Sequence, residues 1–345
     1  MIDIAVFFGG CSSEYEVSLQ SVCGVLGALD RRKYNVHMIW ITRDGEWFYY
    51  EGDTADIAGD RRKSEKLAPV FLTQNRGRRE LVVLRDGKSE KVHIDVAFPV
   101  LHGRNGEDGT LQGLLELAGV PVAGCGTLAS ALCMDKYRAH KLAEAEGIAA
   151  PKSTLISSGD NEETVQNAAK SIGFPLFVKP LRAGSSFGIS RVNDLSQLAA
   201  AVKQALAYDD RAVLEECIDG VEVGCAVIGR DQLVTGEIDM ITLKGGFFDY
   251  NEKYTLGTAQ IQVPAKISKE QTEVVKSAAK RIYKALDCSG FARVDMFLTA
   301  QGELFFNEVN TIPGFTSHSR FPRMMEAAGF SMSEVVDMII GGALK

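Results

Sequence analysis

GFARVDMFLTAQGELFFNEVNTIP, residues 290–313, is the stretch from which the rest of the chain is read. Two apolar-rich runs flank Ala300-Gln301-Gly302, the pattern of a β-hairpin. Side chains alternate between the faces of a strand, so Arg293 and Asp295 share one face. On the return strand the same alternation puts Glu308 and Asn310 together, with Phe306 beside them. With faces matched across the hairpin, one cation, two carboxylates and an amide converge on an otherwise apolar sheet. Buried charges are expensive unless paired or bound to metal. Asp, Glu and Asn offer the hard oxygen ligands that Mg²⁺ takes, substrate phosphates completing its octahedron. A structural Arg–carboxylate pair on a half-solvated sheet would give the same local pattern.

Moving back from the hairpin, GGFFDYNEKY (245–254) is aromatic and charged without a period. So long an irregular segment is uncommon unless it is a lid or binding loop. Residues 213–218 and 222–227 read as strands. PLFVKP (175–180) is a short strand with a lysine near its end, followed by RAGSSFG (182–188) and a second short strand over 189–192. A Gly/Ser loop between strands can lay N–H groups and hydroxyls over a polyphosphate, while Lys179 supplies a point charge. A plain hairpin loop would look alike. No lysine follows the second glycine, so this is not a Walker loop.

The N-terminal part opens with a buried strand over 2–8, the turn GGCSSE (9–14), and a helix marked by Val22, Val25, Leu26 and Leu29. Strand, glycine turn and helix begin an α/β unit with a parallel sheet. The turn lacks the G-x-G-x-x-G spacing of a dinucleotide fingerprint. Glu14 would repel a phosphate and suits a ligand ammonium; a helix-start carboxylate favoured by the macrodipole is the other reading. Residues 36–41 read as a strand and 53–66 as a charged surface excursion. The alternating run 92–98 leads into LHGRNGEDG (101–109), a loop at a strand end where binding residues concentrate. One helix is expected over 127–145, running through Met134-Asp135-Lys136, and others over 274–286 and after Arg320.

The 345 residues, 46% hydrophobic and 24% charged, fit a two- or three-domain globular protein. A formal charge of −7 and the lack of a basic run with aromatics argue against nucleic acid. No apolar stretch approaches the roughly 20 residues of a membrane span. The N-terminus enters a strand without a basic leader, and the seven cysteines include no C-x-x-C pair. Reduced thiols in a cytoplasmic protein are the expectation.

In chain order, FGGCSSEYEVS, VLHGRNGEDGTLQG, MDKYRAHKL, VKPLRAGSSFGIS, FFDYNEKYT, ARVDMF and FNEVNTIPGFTSHSR resemble the ATP-grasp superfamily, and within it the D-alanine–D-alanine ligase family. The match runs nearly end to end and is most similar to the VanG-type D-alanine–D-serine ligases. The resemblance implies an α/β (α+β), three-domain ATP-grasp architecture with a parallel-sheet N-terminal domain. Residues 1–125 would bind the first D-alanine, 126–213 carry the glycine-rich loop, and 214–345 carry the lid and the metal site.

The activity implied is an ADP-forming ligase for peptidoglycan precursors of the vancomycin-resistance type, working through an acyl phosphate and using D-serine as second substrate. A D-alanine–D-alanine ligase is the alternative. A catalytically silent ATP-grasp module would be expected to lose Glu14, Arg293 or the metal set, and all are kept. By resemblance, Lys136 and Lys179 hold ATP phosphates, Ser185 and Ser186 close over them, and Glu215 and Glu222 take the adenine amino group and the ribose. Asp295, Glu308 and Asn310 would hold two Mg²⁺, with Mn²⁺ as a substitute, and Arg293 would stabilise the tetrahedral oxyanion. Glu14 would pair with the D-alanine ammonium, tied through Ser185 and Tyr254 to a lid from which Lys253 reaches the γ-phosphate. His102, Ser319 and Arg320 would meet the substrates, Arg320 favouring D-serine. A homodimer is implied as well; neither nucleic acid nor membrane is.

Overall fold

The computed structural model describes residues 1–62, 64–184, 187–243 and 259–345. The first sheet is built from β1 (Ile2–Gly9), β2 (Tyr34–Ile41), β3 (Trp47–Tyr50), β4 (Leu67–Leu72), β5 (Glu80–Arg85), β6 (Lys88–His93) and β7 (Val96–Val100), with α1 (Tyr15–Ala28), α2 (Thr54–Ala58) and α3 (Thr110–Ala118) between them. Its order is β6-β5-β4-β3-β2-β1-β7. Only β2, β1 and β7 run parallel; the remaining pairings are antiparallel, so the expected parallel sheet is half of a mixed one. The cause is local. Thr42 closes a tight turn through its bonds with Glu46, and strands joined by so short a turn must lie antiparallel. The alternating run expected over 92–98 is likewise two strands, parted where Asp95 takes the Asp3 N–H.

The expected helix over 127–145 is also two, α4 (Thr127–Met134) and α5 (Lys136–Ala145). Asp135 between them accepts the Arg138 N–H at 2.9 Å, an N-cap that starts a new axis. The second sheet, in order β10-β9-β11-β8, contains β8 (Ser153–Ser157), β9 (Leu176–Pro180), β10 (Ser190–Val192) and β11 (Arg211–Glu216), covered by α6 (Glu162–Ile172) and α7 (Leu195–Ala205). The third holds β12 (Gly220–Ile228), β13 (Val234–Thr235), β14 (Asp239–Leu243), β15 (Ala259–Gln262), β16 (Phe291–Thr299) and β17 (Leu304–Asn310), with α8 (Lys269–Ala285), α9 (Arg320–Ala327) and α10 (Met332–Ala343). Its path is β15-β14-β12-β16-β17.

The expected break at 213/214 falls inside β11, and the change of sheet comes between Glu216 and Gly220. α4 and α5 belong with the third sheet rather than the second. Ala129, Cys133, Ala139 and Ala143 bury against Val223, Val294 and Phe306 there, because small side chains on one helical face let the helices lie close. The C-terminal helices cross back to the first sheet: Phe291 and Phe315 pack edge-on with Phe98, and Phe321 packs on both of them, in one core with Ile4, Val336 and Ile340. The second sheet keeps a core of its own, around Val178, Leu198 and Leu214. No cysteine is in a disulfide; Cys125, Cys133, Cys225 and Cys288 are buried, as reduced thiols were expected to be. No helix among the described residues is long and apolar enough to cross a membrane.

Candidate active site

The hairpin forms as expected, and its register supplies the first half of the site. Arg293 lies opposite Asn310 and Asp295 opposite Glu308. Phe306 does not join them: the register shifts after Asp295, Phe306 pairs with Met296, and both are fully buried in the apolar core. A bulge, not strict alternation, separates the polar face from the apolar one. Arg293 reaches Asp295 by three contacts of 2.7–3.0 Å, and the Asn310 amide donates to the same carboxylate at 3.0 Å. Burial works against the Arg293 charge, but Asp295 outweighs it and holds its pKa above the ordinary guanidinium value.

Arg320 enters this face from the first turn of α9. It grips Asp239 with two bonds of 2.6 and 2.8 Å, Glu222 at 2.5 Å, and lies 3.3 Å from Asp295. Gly224 is the floor: a Cβ there would stand 2.5 Å from the Arg320 Nη2 and 2.6 Å from an Asp239 oxygen. Glu222, expected at the ribose, gives Oε1 to this network, since β12 and β14 bring it and Asp239 to the same face. Asp239 was missed from sequence. Nothing local marks it, and its partner lies 81 residues away.

Two buried ammonium groups come next, one from α5 and one from the second sheet. Lys136, at the start of α5, donates to the Ala183 carbonyl at 2.7 Å. Lys179 pairs with Glu215 at 2.5 Å, leaving the other Glu215 oxygen, Oε2, buried without a partner. An orphaned acceptor is what an exocyclic amino group would satisfy.

From the first domain comes Glu14, at the N-cap of α1, where the macrodipole favours a carboxylate, though its side chain makes no capping bond. Its carboxylate reaches between two loops so closely that a Cβ at Gly103 would lie 2.4 Å from Oε2, and one at Gly184 2.7 Å. His102 is buried, its Nε2 2.9 Å from the Ser21 hydroxyl and its ring also bonded to the Ile312 backbone. Burial pushes its pKa down to about 4. Expected at the substrate, it fastens the loop to α1 and to the segment after β17. Glu107 does similar work, taking the N–H groups of Gly103 at 2.8 Å and Ile312 at 3.2 Å. Burial, then the charge of Glu14, push its carboxyl up to about 8. Ser319 accepts the Thr316 N–H at 3.1 Å and shapes the turn before α9.

Lys136, Glu107, Gly184, Glu308 and Asn310 line one cavity where the three sheets meet. A roomier apolar groove lies on the outside of the second sheet between α6 and α7, away from these charges. Asp295 and Glu308 as cross-strand neighbours, with the Asn310 amide, are an oxygen-donor set that suits Mg²⁺; Lys136, Lys179 and the free Glu215 oxygen suit ATP. Ser185, Ser186, Lys253 and Tyr254 lie outside the described residues.

Residues 3–125 match the family described as D-ala D-ala ligase N-terminus, and residues 142–341 the D-ala D-ala ligase C-terminus. The D-alanine--D-alanine ligase of Caldicellulosiruptor bescii is 40% identical over 100% of this chain and 95% of its own. The vancomycin/teicoplanin A-type resistance protein VanA of Enterococcus faecium is 42% identical over 100% and 99%. Among solved structures, the VanG D-Ala:D-Ser ligase from Enterococcus faecalis superposes with a TM-score of 0.92 at 50% identity, covering 99% of each chain.

Proposed function

The chain belongs to the D-alanine–D-alanine ligase family, and on that premise we propose that it joins D-alanine to D-serine, consuming ATP, for peptidoglycan precursors. As a ligase of this family it is an enzyme that uses ATP and Mg²⁺. Glu14 pairs with the ammonium of D-alanine and presents its carboxylate toward Lys136 and Lys179, which hold the ATP phosphates. A carboxylate oxygen attacks the γ-phosphorus, ADP departs, and an acyl phosphate is left. Asp295, Glu308 and Asn310 would hold Mg²⁺, which would supply charge neutralisation on the transferring phosphoryl group. The neutral amine of the second substrate then attacks the acyl carbon. Arg293 stands where the oxyanion of the tetrahedral species forms, an arrangement worth roughly 3–4 kcal/mol per donor in comparable sites. Phosphate leaves, and the amide bond remains.

One observation favours D-serine: Asp239 lies on the same face as Arg293, its two oxygens held by Arg320 over the bare floor of Gly224. Each held oxygen keeps a lone pair that a serine hydroxyl can donate to, whereas a methyl group leaves it unmatched. D-alanine as second substrate is the competing reading, favoured by a relative named D-alanine--D-alanine ligase. The deciding measurement is phosphate release with ATP, Mg²⁺ and D-alanine, with D-serine or D-lactate competing and products weighed by mass spectrometry. Mostly D-alanyl-D-serine bears out the proposal. Mostly D-alanyl-D-alanine overturns the D-serine reading and leaves the chemistry standing.

A further inference from the structure

The bulge in β17 has a holder outside the sheet. Asp295 pairs with Glu308 and Met296 with Phe306, so Asn307 is an extra residue with no opposite number. That insertion lets Phe306 bury on the apolar face while Glu308, two residues on, faces Asp295. β17 is an edge strand, and an irregular edge has no further ladder to fix it. Two contacts from elsewhere do so. The Phe306 N–H donates to the Ala149 carbonyl at 2.8 Å, and the His140 Nε2 lies 2.8 Å from the Asn307 carbonyl oxygen. A carbonyl only accepts, so Nε2 carries a proton. Burial lowers its pKa, which favours the uncharged ring. The ring also stands edge-on to Phe306, centroids 5.5 Å apart at 71°. One side chain therefore touches both residues across which the strand changes face. It sits on α5 one turn beyond Lys136, on the same side of the helix.

We propose that His140 is a positioning residue: by donating Nε2–H to the Asn307 carbonyl it fixes the bulge that turns Glu308 and Asn310 toward Asp295, and so sets how these oxygens meet the metal. The inference rests on the metal reading of the hairpin given above. It also makes α5 the common support of the Lys136 ammonium and of the metal-bearing strand.

The test is Mn²⁺ binding by the full chain with a non-hydrolysable ATP analogue, read as free Mn²⁺ by electron paramagnetic resonance. His140→Phe keeps a ring against Phe306 but has no donor; it weakens Mn²⁺ binding about 10- to 100-fold, as loss of a group behind a metal ligand commonly does. His140→Gln, with an amide N–H to offer, recovers most of that loss. Binding of the analogue without metal stays unchanged in both. Unaltered Mn²⁺ affinity in His140→Phe overturns the proposal, and so does an equal loss in both variants, which would make shape rather than the donor the cause. His140→Met asks the same question if phenylalanine prevents folding. Glu308→Gln is the control: if it too binds Mn²⁺ normally, the metal reading itself has failed.

Discussion

Replacing Arg320 by leucine tests stability and specificity at once, because the guanidinium answers two carboxylates and stands near a third. The Asp239 side chain is 0% exposed and that of Arg320 8% exposed. Removing one partner of such a buried pair strands the other charge, which costs about 3–5 kcal/mol. Replacing both by apolar side chains removes that penalty, so Arg320→Leu/Asp239→Leu is expected to regain much of the lost stability. Specificity should not return with it. A hydrogen bond to a charged group contributes about 1.5–3 kcal/mol, so losing the one from a serine hydroxyl lowers the D-serine preference about 10- to 150-fold. Urea midpoints for the parent, both single variants and the double variant give the stability cycle. Competition of D-serine with D-alanine, analysed by mass, gives the preference. The reasoning fails if Arg320→Leu is as stable as the parent, or if the product ratio stays where it was.

Three further outcomes follow from the site. Glu308→Gln is expected to abolish turnover while circular dichroism and the melting temperature stay near the parent's, since a metal ligand loses its charge; a near-normal rate would remove Glu308 from the metal set. Gly224→Ala puts a methyl group within 2.5 Å of the Arg320 guanidinium, so a loss of about 1–3 kcal/mol and a fall in kcat are expected, and an unchanged enzyme would show the floor to be slack. His102 has its pKa lowered to about 4 by burial. The unfolded chain therefore binds the extra proton between about pH 6.5 and pH 4, so the contribution of His102 is full above that window and lost as pH falls through it. His102→Gln should flatten the dependence of the urea midpoint on pH in that range; curves that superimpose would rule His102 out as its source.

The hairpin could be read from sequence because its apolar runs and its Ala300-Gln301-Gly302 turn are local signals. Its bulge could not: strict alternation put Phe306 beside Glu308, and the contacts that break it come from His140 and Ala149 in other elements. The split between α4 and α5 was legible in principle, since Asp135 is a good N-cap residue, but the apolar period runs on through it. Resemblance led to the residues that converge, Glu14, Lys136, Lys179, Arg293 and Asp295 among them. It did not foresee the bonds of Glu222 to Arg320 and of His102 to Ser21, because such partnerships depend on segments brought together only by the fold.

The phenylalanine cluster joining Phe98 to Phe291, Phe315 and Phe321 has a mechanical meaning. Sequence divides the chain into three, yet the first and third sheets share one interior and should melt and resist proteolysis as a unit. The second sheet, with a separate interior, is free to behave as a hinged plate. On the function proposed above, an opening of the second sheet would carry Lys179 away while leaving Arg293, Asp239 and Arg320 in place on the shared block.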